Sequence, residues 1–179
     1  MEYEFTLKYQ LDASDCQHDE LVERLGAGGC DDAVIGIGQP RQIGFKFSRA
    51  APSGAAAVQS ALADIARIVP TASLIEAGPD FVGLTDVADL MGMSRQNLRK
   101  LMLAHPATFP LPVHGGSAGI WHLEELLQWL HQKEYAVDSK VIEVSASARH
   151  INVRKELQAL PPAVRAELVR SSRTGADVS

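Results

Sequence analysis

A polar segment near the middle of the chain carries side chains that suit contact with a nucleic acid. Arginine and lysine donate to phosphate oxygens, arginine pairs with two acceptors of guanine, and glutamine and asparagine pair in the same way with adenine. Arg95 and Arg99 lie one helical turn apart, so one can contact a base edge while the other contacts a phosphate. The segment contains no acidic residue, and its polar residues are Ser94, Arg95, Gln96, Asn97, Arg99 and Lys100. This pattern predicts a surface for duplex DNA.

The neighbouring residues predict how this segment is held. A turn at Gly92 separates two short helices, and apolar residues recur where the two helices must bury side chains against each other. These residues are Val87, Ala88, Met91, Met93, Leu98 and Leu101. Prolines at 106, 110 and 112 end the second helix, and residues 113–121 are expected to form two short strands around a Gly-rich tip. A further helix over 123–130 would cover the pair. Residues 81–134 are therefore predicted to form a winged helix-turn-helix.

Residues 83–131 also resemble a known group, the excisionase, AlpA and MerR-type winged helix-turn-helix proteins. The motifs that carry this resemblance are Gly83-Leu84-Thr85-Asp86-Val87-Ala88, Met93-Ser94-Arg95-Gln96-Asn97-Leu98, Phe109-Pro110-Leu111-Pro112, and Trp121-His122-Leu123 with Trp129. The resemblance implies that Ser94 through Lys100 enter the major groove. It also implies that the wing touches the DNA backbone or minor groove through His114 to Ser117, which adds His114 and Ser117 to the expected DNA-binding residues. This wing tip has no arginine or lysine.

The first part of the chain reads as β-α-β-β-α-β. Strands are predicted over 3–11, 33–37, 42–47 and 72–76, and helices over 20–25 and 55–69, from alternating and helical spacing of apolar residues. This order is typical of a ferredoxin-like sandwich, in which two helices cover four antiparallel strands. Such a unit, assigned to residues 1–77, can sense a small molecule, pair edge to edge with a copy of itself, or bind RNA on its sheet.

A boundary is predicted at residues 77–80, where glycine, proline and aspartate favour a turn. Residues 135–170 are expected to be helical, with Asp138 as N-cap and an apolar stripe that needs a partner; we assign this segment to dimerisation. Its stripe consists of Val137, Val141, Val144, Ala148 and Ile151. Residues 171–179 are expected to be a flexible tail. The predicted fold class is α+β.

Composition and spacing exclude several other classes. The two cysteines, Cys16 and Cys30, lack CxxC spacing, and the chain has neither a leader-like start nor a long apolar run, so we expect a cytoplasmic protein without membrane contact. The histidine spacing predicts no metal site. Adjacent carboxylates such as Asp31 and Asp32 are expected to be solvated, and no serine lies in a nucleophile motif. We expect no cofactor and no enzymatic activity.

The charge distribution leaves two functional hypotheses. Net charge is -5, but residues 1–82 contain 6 Lys/Arg against 12 Asp/Glu, whereas residues 135–179 contain 7 against 5. The acid is thus concentrated away from the polar segment, and the first hypothesis is a bacterial sequence-specific transcriptional regulator that binds double-stranded DNA as a homodimer. The alternative is an adaptor or antitoxin-like interaction protein whose acidic residues 1–77 bind a basic protein partner.

Overall fold

A computed structural model describes residues 1–15, 18–116 and 118–174 and has a mixed α+β architecture. Its first part is a four-stranded sheet of order β2-β3-β1-β4, in which every neighbouring pair is antiparallel. The strands are β1 (Glu2–Gln10), β2 (Ala33–Ile37), β3 (Gln42–Ala50) and β4 (Ser73–Gly78). Two helices, α1 (His18–Leu25) and α2 (Gly54–Ile68), lie between strands in the sequence, with short turns at Ala13–Asp15 and Gly26–Cys30.

One face of this sheet forms the first core. Alternate residues of β1, from Tyr3 to Tyr9, and the inward residues of β3, Ile43, Phe45 and Phe47, are buried together with one side of α2. The Phe5 and Phe47 rings stack with centroids 5.0 Å apart. The strand period of two and the helical period of 3.6 therefore place the apolar residues on facing surfaces.

Arg49 at the end of β3 corrects one expectation from the sequence. Asp32 is not a solvated acid, because both of its carboxylate oxygens accept hydrogen bonds from the buried Arg49 guanidinium, at 2.7 and 3.0 Å. Arg49 also donates to Asp64 at 2.9 Å and to the Gly29 carbonyl at 2.7 Å. The hydrogen bond to Asp32 raises the pKa of Arg49. Two carboxylates of the acidic first part thus share one buried guanidinium as an internal partner.

The second part has its own core around two tryptophans. It contains β5 (Phe81–Val82), α3 (Leu84–Leu90), α4 (Arg95–Ala104), β6 (Trp121–His122) and α5 (Leu123–Gln132). Phe109 packs edge-on against Trp129, with ring centroids 5.0 Å apart, and against Trp121. The segment 113–121, predicted to form two short strands, contains a single bridge between His114 and Ile120. Trp121–His122 pairs instead with Phe81–Val82. Glycines at 115, 116 and 119 provide no side chains for cross-strand packing, which favours a loop there.

A 21-residue helix, α6 (Ser139–Ala159), contributes to both cores. Val144 and Ala148 are buried in the first core, whereas Val141 and Ile142 pack against the second. The Asp138 side chain caps its N-terminus by accepting from the Lys140 N–H. The last helix, α7 (Pro162–Thr174), includes residues 171–174 of the expected tail, because residues 163–174 contain no glycine or proline. Residues 175–179 lie outside the described residues.

The predicted boundary at 77–80 is buried and connected to α6. Asn152 accepts from the Ala77 N–H at 2.9 Å and donates to the Ala77 carbonyl and to Asp80 Oδ2, both at 2.8 Å. The other oxygen of Asp80 lies 2.7 Å from His122 Nδ1. This network joins the sheet, the second part and α6. None of the described helices combines the length and the apolar character that crossing a bilayer requires.

Candidate nucleic-acid interface

The turn between α3 and α4 depends on Gly92. Gly92 has φ +62°, in the left-handed region that side chains rarely adopt. The N–H groups of Gly92 and Met93 donate back to the carbonyls of Asp89 and Ala88, at 3.2 and 2.9 Å, a pattern that ends helices at a left-handed glycine. Val87, Ala88 and Leu98 are buried beside this turn. The turn therefore determines the orientation of α4 relative to α3.

The six polar residues predicted from the sequence all lie at or along α4 and are exposed. Ser94 is the N-cap, and its Oγ accepts from the Asn97 N–H at 3.1 Å. The cap satisfies one backbone donor and leaves other N–H groups of the first turn without intrahelical acceptors, at the end of the helix that favours anions. The exposed set is Ser94, Arg95, Gln96, Asn97, Arg99 and Lys100.

The cations of α4 differ from most others in the protein. Lys8, Arg49 and Arg149 form ion pairs with carboxylates. Within residues 1–15, 18–116 and 118–174, neither Arg95, Arg99 nor Lys100 has an ion-pair or hydrogen-bond partner for its side chain. Three positive charges therefore lie on one exposed helix with no carboxylate of the described chain to neutralise them. Such a surface can bind an anion without first breaking an internal ion pair.

A groove of about 540 Å³ runs between α4 and the loop that follows it. Arg95 and Arg99 lie on the α4 side, and Leu111, Gly115 and Gly116 lie on the loop side. No acidic side chain occurs among its lining residues in the described part of the chain. The groove thus brings the basic face of α4 together with the glycine-rich tip of the loop, two features that the sequence places about 20 positions apart.

Of the two predicted wing residues, the structure describes His114 but not Ser117. His114 is exposed and forms the bridge with Ile120, and a side chain on Gly116 would approach its ring at 3.1 Å. His114 therefore lies at the base of the loop that borders the groove, although it does not line the groove itself. Ser117 lies outside the described residues. The DNA contacts predicted for both residues stay predictions.

Sequence reasoning missed the apolar residues of this surface. Leu103 on α4 is 63% exposed, and Leu111 on the loop is 81% exposed; both line the groove beside the two arginines. Exposed leucines next to unpaired cations suit a ligand that combines charge with apolar groups, as the phosphates, sugars and thymine methyls of DNA do. The sequence did not predict that these two leucines are exposed, because it did not show how the loop packs.

Comparisons with protein-family models, curated proteins and solved structures gave no match for this chain. In the part of the chain that the structure describes, no three histidine, cysteine, aspartate or glutamate side chains cluster closely enough to hold a metal ion.

Proposed function

We propose that the protein is a sequence-specific DNA-binding transcriptional regulator that reads duplex DNA through α4. The observation that carries this proposal is the set of three exposed α4 cations that have no partner among the described residues and lie beside a groove whose described lining contains no acidic residue. Phosphate contacts dominate the affinity of DNA-binding proteins, and uncommitted cations on one helix supply such contacts despite a net charge of -5.

The proposal assigns separate roles to the residues of α4. Arg95 and Arg99 border the groove and are suited to phosphates or guanine edges, whereas Gln96 and Asn97 are suited to adenine edges. The exposed N-terminal turn of α4, capped by Ser94, adds backbone donors for a phosphate. The proposal assigns His114 and Ser117 to contacts with the DNA backbone. In this arrangement α3 supports the reading helix, as in a winged helix-turn-helix.

We also propose that the first part is a ferredoxin-like association or sensor domain. This is supported by its element order β1-α1-β2-β3-α2-β4 and its sheet order β2-β3-β1-β4. One reading helix covers few base pairs, so the proposal includes a homodimer whose two α4 helices bind two half-sites. We include regulation of transcription in the proposal, because a dimer on an inverted repeat would occupy a defined site.

Selection of duplexes from a random library by the full chain, followed by fluorescence anisotropy, tests the proposal. We expect an enriched inverted repeat. Because the homodimer carries each substitution twice, replacing Arg95 or Arg99 by alanine should weaken binding about 100-fold, and replacing both should weaken it about 10,000-fold, since each such contact contributes about 1–3 kcal/mol. If both arginines contact phosphates, the double variant of the dimer loses four such contacts, and the slope of log K against log salt should fall in magnitude by about 4.

Arg154 provides the matched control. It is exposed on α6 and has no side-chain partner among the described residues, so Arg154→Ala removes the same charge away from α4. We expect this variant to bind the selected duplex like the wild type. Unchanged binding by Arg95→Ala/Arg99→Ala, with an intact circular dichroism spectrum, would refute the assignment of α4.

The adaptor or antitoxin-like alternative predicts a different result. No duplex would be enriched, and a basic protein would copurify with the chain in a stoichiometric complex that depends on residues 1–77. Asp32 and Asp64 are engaged by Arg49 and Asp15 by Arg24, so these three carboxylates would have to leave internal ion pairs to contact a basic partner, whereas the α4 cations have no such pairs among the described residues. We therefore give the DNA proposal precedence.

A further inference from the structure

The two edges of the four-stranded sheet differ in whether their backbone groups have partners. At the β4 edge, α6 supplies partners for the backbone: Asn152 binds both the N–H and the carbonyl of Ala77, and Lys155 donates to the Ile75 carbonyl. At the opposite edge, no strand of the described chain pairs with the outer side of β2. Proteins normally cover, charge or distort an exposed edge, because its free backbone groups can pair with another chain.

Among the described residues, β2 shows neither the charge nor the distortion that protects an edge, and no strand covers it. Its five residues, Ala33–Ile37, include no charge and no proline, and they follow a regular register with β3. Val34 is 73% exposed and Ile37 is 40% exposed. Valine and isoleucine are strong strand formers. The strand therefore combines apolar, β-favouring residues with an open edge.

The hydrogen-bond pattern shows which backbone groups point outward. The Ser48 N–H donates to the Asp32 carbonyl at 3.0 Å, immediately before β2. Because the two sides alternate along an antiparallel strand, Val34 and Gly36 also direct their backbone groups toward β3. The N–H and carbonyl groups of Ala33, Ile35 and Ile37 consequently face the open edge. These three residues present a continuous row of donors and acceptors.

We propose that β2 pairs antiparallel with β2 of a second copy of this chain, about a two-fold axis at Ile35, and thereby joins the two sheets into one. In this register each Ile35 lies opposite its counterpart, and Ala33 lies opposite Ile37 of the second copy. Three such pairs form about six hydrogen bonds between the chains. This inference rests on the proposed function, which requires a dimer, and it names the surface that forms it.

A second copy fits this edge better than an unrelated strand does. No like charges meet within the strand, and the exposed Val34 lies next to Gly36 of the second copy, where no side chain obstructs it.

The surface that the sequence assigned to dimerisation is largely used within the chain. Val144 and Ala148, at the centre of the α6 stripe, are buried against the chain's own first core. The stripe therefore has an internal partner, whereas the β2 edge has none in the described structure.

Sedimentation velocity of the full chain tests the proposal, with two variants of matched chemistry. Ile37→Lys places a charge at the paired edge and should raise the dimer dissociation constant at least about 100-fold, because the axis repeats the charge twice. Val153→Lys makes a comparable apolar-to-lysine change at a 53% exposed position of α6 and should remain dimeric. Circular dichroism checks that both variants are folded.

Hydrogen exchange of the wild type provides a test that needs no variant. The amides of Ala33, Ile35 and Ile37 should be protected at concentrations where the dimer forms, and they should exchange rapidly after dilution, while Val34 and Gly36 stay protected. A wild type that is monomeric at about 100 µM would overturn the proposal, as would dissociation by Val153→Lys but not by Ile37→Lys.

The DNA assay separates failure of this inference from failure of the proposed function. A dimer that survives Ile37→Lys and still binds the selected repeat overturns only the β2 surface. Monomeric Ile37→Lys that retains weak binding to one half-site supports both proposals. Arg95→Ala/Arg99→Ala should leave the dimer intact.

Discussion

Replacing Asn152 by alanine should lower the free energy of unfolding by about 4 kcal/mol. The side chain makes three hydrogen bonds in a buried site, two with the Ala77 backbone and one with Asp80. Each buried partner left without a hydrogen bond costs about 1–3 kcal/mol, whereas the better helix propensity of alanine returns about 0.5 kcal/mol. Since domains are typically stable by about 5–15 kcal/mol, the loss is a large fraction of the total.

Urea unfolding measures this loss, and two probes make it specific. Trp121 and Trp129 both lie in the second core, so their fluorescence reports that core, while far-UV circular dichroism reports all helices. With an m-value of about 2 kcal/mol/M, the midpoint should fall by roughly 2 M. Because α6 belongs to both cores, the two probes should shift together.

The other asparagine of the chain is the control for Asn152. Asn97 is exposed on α4 and its side chain has no partner among the described residues, so Asn97→Ala makes the same substitution without removing a buried hydrogen bond. We expect its stability to equal or slightly exceed that of the wild type. A shift below about 1 kcal/mol for Asn152→Ala would show that water replaces its hydrogen bonds. Separate transitions for the two probes would refute the idea that α6 unites the cores.

Two further predictions concern local chemistry. Burial raises the pKa of the Cys30 thiol to about 11. In the Cys16→Ser variant, Cys30 should therefore react with a disulfide reagent at pH 8 at least about 100-fold more slowly in native than in urea-unfolded protein, and the native rate should keep rising above pH 9. Equal rates in native and unfolded protein would contradict the burial of Cys30. Gly92→Ala should cost about 1 kcal/mol, because a Cβ there meets no neighbour and only the left-handed backbone opposes it. Gly115→Ala, equally open but without positive φ, should change the urea midpoint little; equal losses would refute the backbone explanation.

The local elements could be read from the sequence because apolar periodicity specifies them directly. The strand at 33–37 and the helices on either side of Gly92 occur where alternating and helical spacing predicted them. The turn itself was predictable because glycine tolerates its φ of +62°. The six exposed residues of α4 follow from the same helical geometry, since Leu98 faces the core and the polar residues face away.

Contacts between distant residues could not be read in this way. Arg49 and Asp32 are 17 positions apart, and Asn152 lies 75 positions from Ala77. Nothing in their local patterns distinguishes them from solvated polar residues, because their partners are determined by how the elements pack. The pairing of the wing segment was predictable only in part for a related reason: His114 and Ile120 form a bridge within it, whereas Trp121–His122 pairs with Phe81–Val82, which lie outside the segment.

The position of α6 gives the proposed regulator a rigid connection between its two functions. The helix covers the β4 edge through Asn152, packs on the first core through Val144, and holds α5 through the ion pairs of Arg149 with Glu124 and Glu125. A flexible linker between the parts would let each α4 search for its half-site independently. Here α6 contacts the sheet directly and contacts the second core, which also contains Leu98 of α4, so pairing two β2 edges would also constrain the distance between the two α4 helices. Dimer geometry, rather than linker length, would then set the half-site spacing that the protein accepts.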